Sequence, residues 1–341
     1  MKNIIDYAEA HSLSNPLWID VRSPKEFAQG HLPHATNLPV MDDQTRHDVG
    51  TLYKQGQIDE AKQVGINFMS SILPNYFRHI LAANQKHSLI FYCKSGGFRS
   101  SSIVGLLDGL GLTIYQLAGG YQAYRQRVLD RLEVLPHQFQ FVSLDGMTGT
   151  GKTLILKHIE AMGAQVLDLE GLANHRGSHF GQIGLGQQPS QANYEAALIS
   201  KLESFQPGIV FIEGESASIG KVHTPHTLYQ VYKQSPHQVY IDSPLDLRIQ
   251  RIEDEYINDS DQKNLIEIKE TLNRMDKMNP QRKAIHLESL NQGDYASVIK
   301  DLIISYYDQH YTLKNKNFEY RIINYSSYDT ARALIDLYEV L

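Results

Sequence analysis

The sequence is poor in cysteine, since its 341 residues include only Cys93. A single cysteine cannot form an internal disulfide bond, and it excludes a metal site built from several cysteines. The chain also lacks any apolar run that approaches the length of a transmembrane helix. Residues 1–9 lack the basic and apolar regions of a secretory signal. We therefore expect a cytoplasmic protein with no membrane partner, in which Cys93 is either an inert buried side chain or a reactive one.

An excess of positive charge is absent as well. The formal net charge is −6, which argues against a protein that binds nucleic acid through a surface that is basic all over. A local basic groove is still compatible with RNA binding. The length exceeds what one hydrophobic core usually supports, and a proline interrupts the pattern at residue 136. We therefore expect two domains, residues 1–135 and 136–341.

Apolar segments typical of buried strands alternate with segments of helical periodicity in both halves. The predicted strands are residues 17–21, 88–92, 114–117, 139–144, 166–169, 209–212 and 239–241. The predicted helices include residues 100–110, 121–132 and 154–162. Strands that alternate with helices form parallel sheets, and the chain after residue 247 is mostly helical and charged. We therefore predict an α/β fold, with a parallel sheet in each domain and a helical C-terminal part.

A glycine-rich segment follows the first predicted strand of the second half. Gly146, Gly151, Lys152 and Thr153 match the Walker A pattern, for which a preceding strand and a following helix are the usual context. The backbone N–H groups of such a loop converge on a phosphate, the lysine pairs with the terminal phosphate, and the final hydroxyl binds Mg²⁺ when that ion is present. The predicted phosphate-binding residues are Gly146, Thr148, Gly149, Thr150, Gly151, Lys152 and Thr153. The pattern predicts a P-loop NTPase-like domain. Its default ligand is a nucleoside triphosphate, although any diphosphate fits the same loop.

Further polar residues follow other predicted strands of this half. Glu213 lies where many P-loop proteins have an acidic residue that organises magnesium. Glu213 and Glu215 are therefore either close to a metal ion or exposed at a strand end. Residues 167–181 are dense in polar side chains, which indicates either a functional loop or a capped surface loop. In the first case, His175 and Arg176 would bind phosphate or the RNA backbone.

Cys93 lies between a predicted strand and a predicted helix, in a loop that ends at Arg99. Backbone amides near a helix N-terminus favour the thiolate form of a cysteine, and an arginine grips an oxyanion in a bidentate manner. The predicted catalytic residues are Cys93 and Arg99, and the predicted anion loop between them consists of Lys94, Ser95, Gly96, Gly97 and Phe98. A cysteine followed by five residues and an arginine is the spacing of cysteine-dependent phosphatases, in which the thiolate attacks a phosphate ester. The alternative is a carrier whose thiolate holds sulfur or selenium.

Three segments around this loop, residues 20–27, 30–39 and 117–124, resemble the rhodanese family. The resemblance extends over the first domain and favours the carrier. The loop is one residue longer than that of an ordinary sulfurtransferase, and the extra glycine widens the cradle for a bulkier donor such as a phosphate that carries selenium. Phosphatase-like rhodanese relatives use the longer loop too. The resemblance implies a rhodanese-like parallel-sheet domain ahead of the P-loop NTPase-like domain.

The order of motifs along nearly the whole chain resembles the tRNA 2-selenouridine synthase family. The motifs that carry this resemblance, besides the rhodanese-like part and the P-loop, are residues 49–55, 174–178, 188–191 and 213–216. The sequence departs from the family at Lys94 and Ser95, and at Ala217, where the family commonly has arginine. The predicted contacts to tRNA or to a diphosphate are Asn174, His175, Arg176, Ser178, Glu213 and Glu215.

This resemblance implies replacement of sulfur by selenium in 2-thiouridine at the wobble position of tRNA, with selenophosphate as donor. It also implies transfer of a geranyl group from geranyl diphosphate to the thiouridine sulfur, which makes that sulfur a better leaving group. We expect no tightly bound cofactor, with Mg²⁺ at Thr153 if a metal takes part. The expected partners are tRNA that contains 2-thiouridine and the enzyme that supplies selenophosphate. Lys152 and its loop would bind the diphosphate, while Cys93 would carry selenium covalently or assist its delivery.

Two other functions fit the same motifs. One is a rhodanese-type sulfurtransferase coupled to a P-loop ATPase, in which nucleotide hydrolysis activates tRNA for thiolation. The other is a non-enzymatic, nucleotide-regulated binding module. The presence of Cys93 disfavours this module, because rhodanese-like scaffolds often lack the cysteine.

Overall fold

The computed structural model describes residues 3–257, 262–275, 278–310 and 317–339. Backbone contacts divide the chain into two compact units. The first comprises Met1–Arg131 with Ser190–Ser200, and the second comprises Leu132–Pro189 with Lys201–Leu341. Each unit contains a five-stranded parallel sheet with helices in the connections. The predicted α/β fold is therefore confirmed.

The first unit is built on a parallel sheet whose central strand leads to Cys93. Its strands are β1 (Asn3–Ile5), β2 (Pro16–Asp20), β3 (Thr36–Asn37), β4 (Ser88–Tyr92) and β5 (Tyr115–Leu117). They lie in the order β1-β5-β4-β2-β3, and the paired strands are parallel. Its helices are α1 (Tyr7–His11), α2 (Pro24–Gln29), α3 (Asp43–Lys54), α4 (Ile58–Asn84), α5 (Phe98–Gly109) and α6 (Gly120–Val134). The central strand β4 is a continuous apolar run because both faces of a parallel sheet are covered.

The longest described helix is α4, with 27 residues. Its buried residues Tyr76 and Ile80 pack in one core cluster with Leu89 and Phe91 of β4. α4 therefore covers the central strand that carries Cys93. No described helix, α4 included, is long and apolar enough to cross a membrane.

The second unit repeats this plan around β6, which leads to the phosphate loop. Its parallel strands are β6 (Phe139–Asp145), β7 (Val166–Leu167), β8 (Gly208–Glu213), β11 (Gln238–Asp242) and β12 (Tyr320–Ile323), in the order β12-β11-β6-β8-β7. An antiparallel pair consists of β9 (Ser218–Ile219) and β10 (Val222–His223). The helices are α7 (Lys152–Ala161), α8 (Leu169–Ala173), α10 (His226–Gln234), α11 (Leu245–Tyr256), α12 (Gln262–Arg274), α13 (Pro280–Asn291), α14 (Tyr295–Leu302), α15 (Asp308–His310) and α16 (Ser327–Leu337). Most of α9 (Gln191–Glu203) belongs to the first unit. A 3₁₀ turn at Leu135–Gln138 precedes β6, and a π-helical turn at Ile303–Tyr307 follows α14.

The chain after residue 247 is mostly helical, as predicted, but it also contains the edge strand β12. This strand is absent from the sequence prediction because Tyr320, Arg321 and Ile323 are exposed, so β12 lacks the apolar run of a buried strand. The helices α12, α13 and α14 contribute to a separate core cluster that includes Leu272 and Leu290. This cluster lies beside the phosphate loop and forms the wall of a pocket described below.

Candidate functional site

The predicted phosphate loop lies between β6 and α7, at the carboxyl end of the central strand. Gly149 and Gly151 have φ angles of 80° and 87°, a backbone region that favours glycine. The helix α7 begins at Lys152, and the unpaired N–H groups of its first turn favour an anion at this end. Lys152 Nζ donates hydrogen bonds to the carbonyl oxygens of Gly146 and Met147, at 2.8 and 3.4 Å. The loop therefore has the backbone shape and the positive charge of a phosphate cradle.

A cavity of about 310 Å³ opens on this loop. The predicted phosphate-binding residues in its wall are Thr148, Gly149, Gly151, Lys152 and Thr153. Thr150 is instead fully buried, and its hydroxyl donates a hydrogen bond to Met147 O at 2.9 Å. The wall also contains three cationic side chains, those of Lys157, Arg176 and Arg251.

Three residues from distant parts of the chain fix the loop in this shape. Arg248 Nε donates to the carbonyl oxygen of Thr148 at 2.9 Å, and Arg251 Nη1 donates to that of Thr150 at 3.2 Å. Asn324 Nδ2 also donates to Thr150 O, at 2.8 Å. These side chains satisfy carbonyl groups of the loop and so stabilise its backbone shape.

Four carboxylate side chains line the same cavity, those of Glu170, Glu215, Asp254 and Glu255. The hydroxyl of Thr153 donates a hydrogen bond to Glu170 Oε2 at 3.2 Å. Burial, and after it the charge of Glu215, raises the pKa of Glu170 to about 8. Oxygen atoms are the ligands that Mg²⁺ prefers, so Thr153, Glu170 and Glu215 fit this ion chemically. Among the described residues, however, no three His, Cys, Asp or Glu side chains are already arranged as a metal site.

Glu213 is fully buried at the end of β8, which excludes the exposed alternative for this residue. Its Oε2 accepts a hydrogen bond from the backbone N–H of Leu169 at 2.8 Å. Burial, followed by the charges of Asp168 and Glu170, raises the pKa of Glu213 well above its usual value. Glu213 therefore holds the first turn of α8, the helix that presents Glu170 to the cavity.

Of the four predicted contact residues within residues 174–178, two have side chains that reach the phosphate-loop cavity. Arg176 and Ser178 are both in its wall. Arg176 Nε pairs with Glu255 Oε1 at 2.8 Å, and Ser178 Oγ lies 3.2 Å from the hydroxyl oxygen of Tyr256. Both side chains are thus in place to contact a ligand of the loop.

The other two predicted contact residues, Asn174 and His175, bind nearby backbone groups instead. Asn174 Nδ2 donates to the carbonyl oxygens of Leu185 and Gln187, at 2.6 and 3.0 Å. His175 Nδ1 accepts a hydrogen bond from the N–H of Gly177 at 3.1 Å, and burial lowers the pKa of this histidine. The structure therefore places Asn174 and His175 behind Arg176 and Ser178, where they shape the segment.

An apolar pocket of about 70 Å³ adjoins the phosphate-loop cavity. The residues that line both are Thr148, Ser178, Ile252 and Tyr256. The remaining wall of the apolar pocket comes largely from α12, α13, α14 and the π-helical turn, and it includes Ile268, Leu290, Val298, Ile303 and Tyr307. π-Helical turns are frequent at functional sites. The second unit thus places an apolar space directly beside an anion site.

The predicted cysteine loop lies between β4 and α5 of the first unit. Gly96 has a φ angle of 68°, and the start of α6 holds the loop through hydrogen bonds from Tyr121 N to Cys93 O and from Gln122 N to Lys94 O, at 2.9 and 2.8 Å. Cys93 is only 3% exposed. The sulfur is therefore buried, and hydrogen bonds from the start of α6 fix the shape of its loop.

Two buried polar side chains that the motif did not single out approach the sulfur. Ser100 Oγ donates a hydrogen bond to Cys93 Sγ at 3.2 Å. Gln116 Nε2 donates to Ser100 Oγ at 3.1 Å, and the serine hydroxyl also lies 3.3 Å from the carbonyl oxygen of Gly97. Ser100 and Gln116 therefore form a short chain of hydrogen bonds that ends at the sulfur.

Arg99 is bound to a carboxylate of a neighbouring helix. Its Nη1 donates to Glu26 Oε2 at 2.6 Å, and Arg46 Nε lies 3.5 Å from the same oxygen. Although burial opposes the change, Arg99 and then Arg46 lower the pKa of Glu26. Glu26 thus holds the guanidinium of Arg99 at the edge of the loop.

A basic cavity of about 500 Å³ opens over the cysteine. Its wall contains Cys93 and the loop residues Lys94, Ser95, Gly97, Phe98 and Arg99. Helix α3 adds Arg46, His47 and Lys54. The motif did not indicate these three residues, although Lys54 lies within residues 49–55, one of the segments that carry the resemblance. The cavity therefore suits a small anion with more than one negative charge.

The comparisons with known proteins cover both units. A rhodanese-like domain model matches residues 5–127, and a model described as the tRNA 2-selenouridine synthase AAA domain matches residues 139–279. A tRNA 2-selenouridine synthase from Hydrogenovibrio crunogenus is 37% identical over 255 residues, which cover 72% of this chain and 69% of the relative. One from Sulfurovum sp. is 37% identical over 253 residues, which cover 72% and 67%.

Among solved structures, shikimate kinase from Acinetobacter baumannii in complex with shikimate matches at 18% identity and a TM-score of 0.28. The match covers 61% of this chain and 95% of the kinase. A TM-score this low supports no conclusion about the present chain.

Proposed function

Because the chain belongs to the tRNA 2-selenouridine synthase family, we propose that it is a transferase that converts wobble 2-thiouridine in tRNA to 2-selenouridine in two steps. The first step attaches a geranyl group from geranyl diphosphate to the thiouridine sulfur, and the second replaces that sulfur with selenium from selenophosphate. The observation that carries this proposal is the apolar pocket beside the phosphate loop. A ligand that fills both spaces has a diphosphate at one end and a short hydrocarbon at the other.

The first step uses the phosphate-loop cavity. The sulfur of 2-thiouridine attacks C1 of geranyl diphosphate, so that a C–S bond forms, the C–O bond breaks and inorganic diphosphate leaves. The N3 proton of the base is released to solvent. Lys152 and the first turn of α7 stabilise the negative charge on the leaving diphosphate. A magnesium ion, if bound at Thr153, would add further positive charge at that group.

The apolar pocket favours this ligand over a nucleoside triphosphate. Nearly all of its wall is aliphatic or aromatic, including Ile268, Leu290 and Val298. Burial of apolar surface contributes about 25 cal/mol per Å², whereas the hydroxyl groups of a ribose would lose hydrogen bonds to water there. The polar atoms of Ser178 and Tyr256 lie at the boundary with the phosphate-loop cavity, where a diphosphate would meet its hydrocarbon.

The second step uses the basic cavity over Cys93. Selenium becomes bonded to C2 of the base and the geranylated sulfur leaves as geranyl thiol, while water converts the donor's phosphorus group to phosphate. Lys94 and the α3 side chains Arg46 and Lys54 offer positive charge for selenophosphate and for the tRNA backbone. Selenophosphate would come from the enzyme that makes it.

The test incubates purified protein with tRNA that contains 2-thiouridine, geranyl diphosphate and selenophosphate, and omits each donor in turn before nucleoside mass spectrometry. Geranylated nucleoside from the diphosphate alone, and selenouridine when both donors are present, are the expected products. Unchanged tRNA in every reaction, together with tRNA-stimulated ATP hydrolysis, would overturn the proposal in favour of a sulfurtransferase coupled to an ATPase.

A further inference from the structure

The selenium step imposes a condition on Cys93. Selenium has the same oxidation state in selenophosphate and in a 2-selenouridine, so the replacement of sulfur by selenium is redox-neutral. A perselenide on Cys93 would require selenium to lose two electrons when the S–Se bond forms. Two electrons would then have to be supplied again before selenium could leave the Cys93 sulfur. Neither co-substrate of the proposed reaction is an oxidant or a reductant, so a bond between Cys93 and selenium does not balance.

The geometry around the sulfur suits a different bond. Cys93 and Arg99 are separated by five residues, which is the spacing of enzymes whose cysteine attacks phosphorus. The cavity above the sulfur is lined by Lys94, Arg46 and Lys54, and the N-terminus of α5 faces the loop. These positive groups suit the several charged oxygen atoms of a phosphate better than the single charged selenium atom of a perselenide.

We propose that Cys93 accepts the phosphoryl group of selenophosphate, and not its selenium atom. This inference rests on the proposed function, because it assumes selenophosphate as donor. The thiolate attacks phosphorus, so that an S–P bond forms and the P–Se bond breaks. Both electrons of the P–Se bond leave with selenium, as hydrogen selenide ion.

The remaining steps balance without an oxidant. Hydrogen selenide ion attacks C2 of the S-geranylated base, geranyl thiolate leaves, and the proton of the selenide goes to N3. Water then attacks the phosphorus on Cys93, which releases phosphate and returns the cysteine thiol. The cysteine thus supplies a strong selenium nucleophile at the site of use, and no free selenide needs to be provided from solution.

Ser100 is the positioning residue for the last step. When phosphocysteine is hydrolysed, the Cys93 sulfur leaves as a thiolate, and the hydroxyl of Ser100, 3.2 Å away, stabilises the charge that develops there. In the first step this hydrogen bond is already made to the sulfur before the S–P bond forms, so we expect its removal to affect that step less than the departure of the sulfur. Ser100→Ala is therefore expected to slow hydrolysis more than formation, so that phosphocysteine accumulates.

The experiment mixes full-length protein with selenophosphate, or with monothiophosphate as a second probe, and quenches with acid before peptide mass spectrometry. The expected adduct on the Cys93 peptide is one phosphoryl group, at least fivefold more abundant in Ser100→Ala than in the wild type. Ser102→Ala is the matched control, because it removes a hydroxyl of the same helix that donates to Phe98 O at 2.7 Å. It should behave as the wild type, and Cys93→Ala should carry no adduct.

A selenium or sulfur atom on the Cys93 peptide would overturn the inference, and so would the absence of any adduct in both the wild type and Ser100→Ala. Selenouridine formation from tRNA geranylated beforehand is measured in the same reactions. If selenouridine forms without phosphocysteine, only this inference fails. If selenophosphate yields no selenouridine at all, the proposed function fails.

Discussion

Both anion loops join the carboxyl end of a central parallel strand to the first turn of a helix, β4 to α5 and β6 to α7. Their surroundings differ. The loop after β6 contains Lys152 but no cysteine, and carboxylates and an apolar pocket adjoin it. The loop after β4 contains Cys93 and opens into a cavity with five cationic or imidazole side chains, those of Arg46, His47, Lys54, Lys94 and Arg99. In the proposed reactions, the same backbone arrangement therefore serves a loop that holds a leaving group and a loop that forms a bond.

Removal of the Cys93 nucleophile should have the largest effect, and it should distinguish the functions of the two loops. Cys93→Ala should lower the rate of selenouridine formation by roughly a thousandfold or more, as loss of a covalent nucleophile does in other enzymes. Geranylation should remain within twofold of the wild-type rate. Both rates are measured by nucleoside mass spectrometry, the first on tRNA geranylated beforehand. A parallel loss of geranylation would show that the loops do not divide the work.

The reciprocal change removes the charge of the other loop. Lys152→Ala should lower the geranylation rate by about a hundredfold, the effect of losing one preorganised group that stabilises developing charge. Selenium transfer to pre-geranylated tRNA should be unchanged. Lys201→Ala is the control, because Lys201 pairs with Glu160 at 2.7 Å on the surface of the same unit. Normal geranylation by Lys152→Ala would contradict the assignment of the diphosphate to this loop.

The motifs in the sequence predict the two loops because each motif is local. The glycines, the terminal lysine or arginine and the flanking apolar strand all lie within a short segment, and their spacing fixes the backbone path. The side chains that complete each site come from far along the chain. Arg248 is 100 residues from Thr148, and Asn324 is 174 residues from Thr150. Only the packed sheet brings such residues together, so no local pattern indicates them.

The apolar pocket was unpredictable for a related reason. Ile268 and Leu290 belong to helices whose apolar faces predict only burial in a hydrophobic core. Ile303 lies in a π-helical turn that sequence periodicity does not reveal. Their helices leave a space only because they meet beside the phosphate loop. A hydrophobic face predicts burial, but it does not predict whether the neighbouring side chains fill the gap.

The third prediction tests this pocket. Ile268 is 9% exposed and lines it, whereas Ile266 on the same helix is 58% exposed. Ile268→Trp should fill the pocket and weaken binding of geranyl diphosphate by about tenfold, since each buried CH₂ contributes about 0.8 kcal/mol. Inorganic diphosphate should bind as it does to the wild type, which also reports that the variant is folded. Titration calorimetry with both ligands makes the measurement.

Ile266→Trp is the matched control and should bind both ligands normally. Farnesyl diphosphate should bind the wild type more weakly than geranyl diphosphate, because a space of about 70 Å³ is small for a long chain. Equal affinity for the two prenyl diphosphates and for inorganic diphosphate would remove the pocket from the proposed function.

The smallest expected effect concerns the carboxylates that distinguish the phosphate loop from the cysteine loop. The pKa of Glu170 is about 8, so this side chain is largely neutral at pH 7 and becomes charged above pH 8. The affinity for inorganic diphosphate should therefore fall by a few fold as the pH rises through this value, because the ionised Glu170 carboxylate then repels the negative charge of the diphosphate. The ligand titrates too, and the ratio of the variant and wild-type profiles cancels its contribution.

The ratio of the Glu170→Gln profile to the wild-type profile should therefore show this step near pH 8, whereas the same ratio for Glu203→Gln on α9 should be flat. The raised pKa of Glu170 also determines how the free energy of unfolding depends on pH. The folded protein binds the Glu170 proton more tightly than the unfolded chain, whose carboxyl has the ordinary pKa of 4.5. The resulting gain in the free energy of unfolding is complete below pH 4.5 and is lost as the pH rises toward 8. Glu170→Gln should thus raise the melting temperature more at pH 9 than at pH 5. A uniform shift at both pH values would show that Glu170 is charged in the folded protein, and that the phosphate loop works beside a permanent carboxylate.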